Sequence, residues 1–190
     1  MEPIEAGIDI ETTGLEYGEH RIVEIYIGLY RGDKLLREFN QRIDPQRSIA
    51  KEAQDVHKIS AADLVGMPTW NFVAPSVLAY LTKAETHIAH NSGFDLPFIT
   101  YELKRVGLTM PERLVIDTMQ FTWATPDGKK PSLKELCLAC DVEYAETDQT
   151  GVGAHAADYD VDRMMQCLFA ARRFGIVETP PVASQIPQAA

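Results

Sequence analysis

At 190 residues, with 45% apolar and 24% charged residues, the chain has the size of one globular domain and enough apolar surface for a core without disulfides. The formal charge of −10 excludes a protein that coats nucleic acid through a broad basic face. It leaves room for one that grips a few terminal nucleotides through local cations or bound metal. With no apolar run long enough to span a bilayer, and neither a basic nor an apolar leader region before Asp9, a cytoplasmic protein without a membrane partner is expected.

Ile4, Ala6, Ile8 and Ile10 alternate with Glu5, Gly7, Asp9 and Glu11, the period of a strand with one buried face, which turns Asp9 and Glu11 the same way. Carboxylates so close repel unless a cation lies between them or one keeps its proton, so the pair suggests a hard divalent metal. Taken alone, it fits a solvated strand face equally well. Gly14 to His20 reads as a turn and Arg21 to Tyr30 as a second strand. Arg31-Gly32-Asp33 then offers a hairpin turn into Lys34 to Ile43, giving an antiparallel meander. Ser60 with Asp63 forms a capping box for a short helix, and Trp70 to Leu81 carries apolar residues at helical spacing, so two helices follow the meander.

Thr86 to His90 reads as a strand and Phe94 to Val106 as a helix that stops at Gly107, with Asp95 near its start. Leu114 to Ile116 is one more strand, Asp117 to Thr122 a short helix capped by Asp117, and Pro126-Asp127-Gly128 a turn. Ser132 with Glu135 makes a second capping box, and Ala156 to Phe174 reads as a long closing helix. Strands first, then alternating helix and strand, predict an α/β domain with a mixed five-stranded sheet and helices on both faces. That domain is expected over residues 1–177, with 178–190, which hold Pro180, Pro181 and Pro187, as a flexible tail or linker. Cys137 and Cys140 form a C-x-x-C that reads as two small buried side chains on a helix, since a zinc site needs two further ligands and none stands at suitable spacing.

Asp9, Glu11, Asp95 and Asp160 lie far apart in the chain, and only a fold can gather them. Alone, Asp95 is a charge complementing a helix dipole and His155 a surface histidine. Three segments nevertheless resemble, in order, spacing and strand-then-helix context, the motifs of the DEDDh (DnaQ-like) exonuclease family. They are Asp9-Ile10-Glu11-Thr12-Thr13-Gly14-Leu15, His90-Asn91-Ser92-Gly93-Phe94-Asp95 and His155-Ala156-Ala157-Asp158-Tyr159-Asp160. Arg21-Ile22-Val23-Glu24-Ile25 and Val56-His57-Lys58-Ile59 resemble further family segments, so the likeness runs from Ile4 to Gly175.

The resemblance implies a ribonuclease H-like fold and 3′-to-5′ release of nucleoside monophosphates from single-stranded or frayed DNA 3′ ends. It implies that Asp9, Glu11, Asp95 and Asp160 hold two divalent cations, Mg²⁺ or Mn²⁺, with Asp9 bridging them. Two such ions stabilise both the attacking and the leaving oxygen of an in-line displacement at phosphorus. His155 becomes the general base, a role suited to imidazole chemistry near neutral pH. Thr12 and Leu15 would contact the terminal nucleotide, with His57 and Phe94 lining the same pocket. A DNA polymerase or another replication or repair protein is the implied partner. RNA trimming uses the same chemistry, and a noncatalytic docking module is the reading from another class, disfavoured because a scaffold needs none of the five residues.

Near His155, helical spacing puts Asp158 and Asp162 on one face and Asp160 on another, and the family spacing selects Asp160. Lys104, Arg105, Lys129, Lys130 and Lys134 are candidate phosphate-attracting cations, with Lys129 and Lys130 foremost because they occupy a turn before a helix. Ile10 departs from the threonine or leucine common in the family and faces the core on this reading.

Overall fold

The alternation that opens the chain becomes β1 (Ile4–Thr12), the middle strand of a five-stranded sheet in a computed structural model that describes residues 2–145 and 155–178. Residues 179–190 of the expected tail lie outside the described residues. β2 (Ile22–Arg31) and β3 (Lys34–Arg42) complete the antiparallel meander, while β4 (Thr86–Ala89) pairs parallel with β1 and β5 (Leu114–Asp117) parallel with β4. The order β3-β2-β1-β4-β5 is the expected mixed sheet.

One face packs Ala6, Ile8 and Ile10 against α2 (Trp70–Lys83) and α3 (Ser92–Arg105), through Val73, Val77, Phe98 and Leu103. The other packs Tyr26, Tyr30 and Ile88 against α4 (Leu133–Ala139) and α5 (Ala157–Arg173), through Leu136, Val161, Met164 and Leu168. Ile10 sits in the first of these layers, as its position in the alternation predicts. Both capping boxes form: Ser60 with Asp63 at a short 3-10 turn (Ala61–Leu64), and Ser132 with Glu135 at α4.

The stretch after the meander differs from expectation, because a further helix, α1 (Lys51–His57), precedes the Ala61–Leu64 turn. It has no side-chain N-cap and His57 is its buried residue, so it shows no apolar stripe to read. The segment after β5 divides into two 3-10 turns, Thr118–Gln120 and Thr122–Ala124, the first capped by Asp117, whose carboxylate accepts the Met119 N–H. The C-x-x-C is joined by a third thiol: Cys167 on α5 lies 3.6 Å from Cys137, sulfur to sulfur, and its carbonyl faces Cys140. Among the described residues no helix is long and apolar enough to cross a membrane.

The polar face of β1 is covered over its first half. Glu5 is buried and holds Arg172 of α5 through both carboxylate oxygens, and α5 lies directly over Gly7. A Cβ at Gly7 would stand 2.7 Å from Val161 Cγ1 and 3.0 Å from Met165 Cγ. Val161 is stiff at χ1 in a helix and cannot turn aside. Gly7→Ala is therefore expected to cost about 1–3 kcal/mol in urea melts, and unchanged stability would show that α5 is not seated this closely.

Candidate active site

Past Gly7 the β1–β4 pairing ends, and Asp9 and Glu11 emerge on the α5 side at an open edge of the sheet. Asn91 adopts a left-handed conformation (φ 86°) that turns the chain from β4 into α3. This places Asp95 in the first turn of α3, 2% exposed. Asp117 fastens the same turn by accepting the Asn91 N–H at 3.0 Å.

Asp160 comes from the first turn of α5. One of its oxygens accepts the His155 N–H at 3.1 Å, and the other is buried without a hydrogen-bond partner among the described residues. His155 is held at φ 64° with its side chain exposed. Asp9, Glu11, Asp95, His155 and Asp160 thus line one cavity of about 470 Å³. Of the three neighbouring aspartates it is Asp160 that faces this cavity. Asp158 is exposed, and Asp162 pairs with Arg163 at 2.6 Å and Gln166 at 2.9 Å.

Burial and crowding act together on these groups. Burial, then the charges of Asp95, Glu11, Asp160 and Glu24, hold the Asp9 carboxyl well above the usual carboxylate range. Glu11 is raised in the same way, by burial and then by Asp160, Glu24 and Asp95. Burial pushes Asp95 up to about 8 against the pull of the nearby Asp95 and Ile10 backbone N–H groups, and Asp160 up to about 6 against the bond from His155. Repelling carboxylates and an orphaned oxygen make a pocket short of positive charge, and an all-oxygen donor set suits hard divalent cations. The residues fit such ions in kind and charge, although among the described residues no three are arranged as a finished ligand set.

Thr12, Leu15, His57 and Phe94 all line a second cavity of about 670 Å³, which shares Glu11 and Phe94 with the first. Leu15 is 80% exposed at its rim. The His57 Nδ1 accepts the Ile59 N–H at 3.0 Å, which leaves Nε2 protonated to donate to the Thr12 carbonyl at 3.2 Å. Helix α1 brings Ala53, Val56 and His57 to this wall, a contribution its polar sequence conceals. Of the five candidate cations, Lys134 lines the first cavity, whereas Lys129 pairs with Asp127 and Arg105 with Glu102. Glu24, buried beside Glu11, belongs to none of the three motifs.

Residues 6–168 match the RNase_T family model, whose description is exonuclease. The DNA polymerase III subunit epsilon of Rickettsia conorii is 33% identical over 157 residues, which cover 79% of this chain and 65% of that protein. The corresponding subunit of Pasteurella multocida is 34% identical over 139 residues, covering 68% and 54%. The chain thus spans little more than half to two thirds of the length of these relatives. Among solved structures, exonuclease X in complex with 5′ overhanging duplex DNA superposes with a TM-score of 0.65 at 25% identity, covering 90% of this chain and 93% of that one. The nuclease domain of 3′hExo, a DEDDh family member bound to rAMP, shares the fold with a TM-score of 0.72 at 13% identity, covering 95% and 97%. On the family match over most of its length, the chain belongs to the RNase_T exonuclease family, an exonuclease domain with the ribonuclease H-like fold of the DEDDh enzymes.

Proposed function

We propose that this chain is a metal-dependent 3′-to-5′ exonuclease that releases nucleoside monophosphates from single-stranded or frayed DNA 3′ ends, with residues 1–177 as the catalytic domain. The observation that carries the reading is the convergence of Asp9, Glu11, Asp95, Asp160 and His155 on one cavity beside a second, more apolar one. In this reading Asp9, Glu11, Asp95 and Asp160 would hold two cations, Mg²⁺ or Mn²⁺. Such ions, when bound, supply the positive charge that stabilises the attacking and leaving oxygens.

The chain's own groups do the rest. His155, exposed at the cavity rim, takes a proton from the attacking water, whose oxygen bonds to phosphorus as the bond to the penultimate 3′ oxygen breaks. The products are a nucleoside 5′-monophosphate and a 3′ end shorter by one. Leu15, Val56 and Phe94 offer an apolar wall to the terminal base, while His57 fixes the Thr12 carbonyl beside it. Lys134 supplies local attraction for phosphate within an acidic chain. The names of the relatives favour DNA and a polymerase partner, and the rAMP held by 3′hExo favours RNA trimming as the second reading.

The test is shortening of DNA and RNA oligonucleotides labelled at the 5′ end, with Mg²⁺, Mn²⁺ or EDTA. A metal-dependent ladder of products from the 3′ end is expected, lost in Asp160→Ala and kept in Asp158→Ala. Folded protein that cuts neither polymer overturns the function. The reverse result for the two aspartates overturns the chosen register.

A further inference from the structure

Glu24 stands directly opposite Glu11 on the neighbouring strand, and Arg42 stands directly opposite Glu24 on the next, so the three form one rung across β1, β2 and β3. Like charges facing each other across strands destabilise a sheet, and Glu24 is only 7% exposed, so its charge has to be answered locally. Two groups answer it. Arg42 Nε donates to one carboxylate oxygen at 3.0 Å, and the N–H of Ala157, the first residue of α5, points at the other at 3.4 Å. Ala157 is fully buried and stands between His155 and Asp160 in the chain. Glu24, Arg42, His155 and Ala156 line one further cavity, which shares His155 with the acidic one.

We infer that Glu24 is a positioning residue of the hydrolytic site: anchored by Arg42, it receives the Ala157 N–H and so seats the start of α5, with His155 and Asp160, against the carboxylates of β1. The inference rests on the proposed nuclease reading. It explains why a third acidic side chain is buried beside two that already repel. With both oxygens engaged, Glu24 stays out of the cation-binding set and acts through the backbone of α5. The Asp160 oxygen that lacks a partner is then held toward the cavity, because His155 N–H takes the other one.

The experiment compares Glu24→Ala with Glu24→Gln, whose amide oxygen can still accept the Ala157 N–H. Two quantities are read: Mn²⁺ binding to the protein alone by calorimetry, and kcat and KM for oligonucleotide shortening. Glu24→Ala is expected to weaken Mn²⁺ binding and lower kcat by about 10–100-fold each, the range for groups that orient metal ligands, with KM for the oligonucleotide within about twofold of the parent. Glu24→Gln is expected to recover part of both losses, since its oxygen keeps the Ala157 N–H while its NH2 group gives up the bond from Arg42. A Glu24→Ala protein with parent-like Mn²⁺ affinity and kcat but a lower melting temperature overturns the inference, leaving an ordinary structural ion pair. So does a Glu24→Gln protein as impaired as Glu24→Ala, since charge rather than the helix seat would then matter. If Glu24→Ala does not fold, Arg42→Leu, at a half-exposed side chain, removes the anchor while leaving Glu24 to accept the Ala157 N–H, and is expected to show smaller losses of the same two quantities. A parent protein that cuts neither polymer sinks the proposed function and leaves the Mn²⁺ titration to decide the seat.

Discussion

His155→Ala is expected to slow single-turnover shortening of an oligonucleotide by about 10²–10⁴-fold, the usual contribution of a positioned general base, while leaving Mn²⁺ binding intact. The separation follows from geometry. The His155 backbone N–H bonds Asp160 and survives the substitution, whereas the imidazole is exposed at the cavity rim and is lost. Once the base is gone, hydroxide from solvent becomes the best nucleophile, so the residual rate of the variant is expected to climb with pH more steeply than that of the parent. Asp9→Asn is expected to behave differently. It removes a charge from the centre of the carboxylate group, and both Mn²⁺ binding and cleavage are lost together. A His155→Ala protein within threefold of the parent rate excludes His155 as the base. Equal loss of metal binding in both variants makes it a ligand instead.

What the amino-acid order reveals here depends on how local the cause is. The alternation of Ile4 to Ile10, the two capping boxes and the stop at Gly107 are written within a few residues, and each produces the element it predicts. Helix α1 escapes because Lys51 to His57 carries neither a capping side chain nor an apolar stripe. The choice among Asp158, Asp160 and Asp162 is open at the level of helical spacing, since it depends on which face of α5 meets β1. Gly7 makes room for Val161, and that docking turns the preceding residue, Asp160, into the cavity. Glu24 is hidden for a similar reason. Its neighbours Glu11 and Arg42 are strand-register partners, far off in sequence, and no pattern within β2 announces them. Cys167 joins Cys137 only because α4 and α5 pack together.

The same crowding of carboxylates makes the protein's stability a reporter of the site. In EDTA, the melting temperature is expected to fall between about pH 7 and 8, and saturating Mg²⁺ is expected to abolish the fall. An acid whose folded pKa is raised binds more protons folded than unfolded, so stability declines as pH rises from the unfolded value, near 4, through the folded one. Asp160 completes this loss by about 6, while Asp95, pushed up to about 8, continues it, and Asp9 and Glu11 are shifted in the same direction. Opposing contributions from carboxylates and histidines end earlier, whereas the Cys137 and Cys140 thiols, lowered by their bonds with Cys167, oppose the fall up to the ordinary cysteine range alike with and without Mg²⁺. Asp63, Asp117 and Glu135, held low by hydrogen bonds, gain stability only while pH passes through the carboxylate range. His57, His87 and His90 are lowered by burial, so their contribution rises only up to the ordinary histidine value near 6.5. The part of the slope above pH 7 that Mg²⁺ removes therefore belongs to the acidic site, at about 1.4 kcal/mol per pH unit for each excess proton, or about 2–4 °C per kcal/mol in a chain of this size. Bound cations reverse the sign by favouring the ionised carboxylates, and at a hundred times the dissociation constant they add about 2.7 kcal/mol. Asp9→Asn is expected to melt higher than the parent in EDTA at pH 8 and to gain nothing from Mg²⁺. A parent whose melting temperature stays level from pH 7 to 8 in EDTA, or falls equally with Mg²⁺ present, removes the ground for placing cations among these four carboxylates.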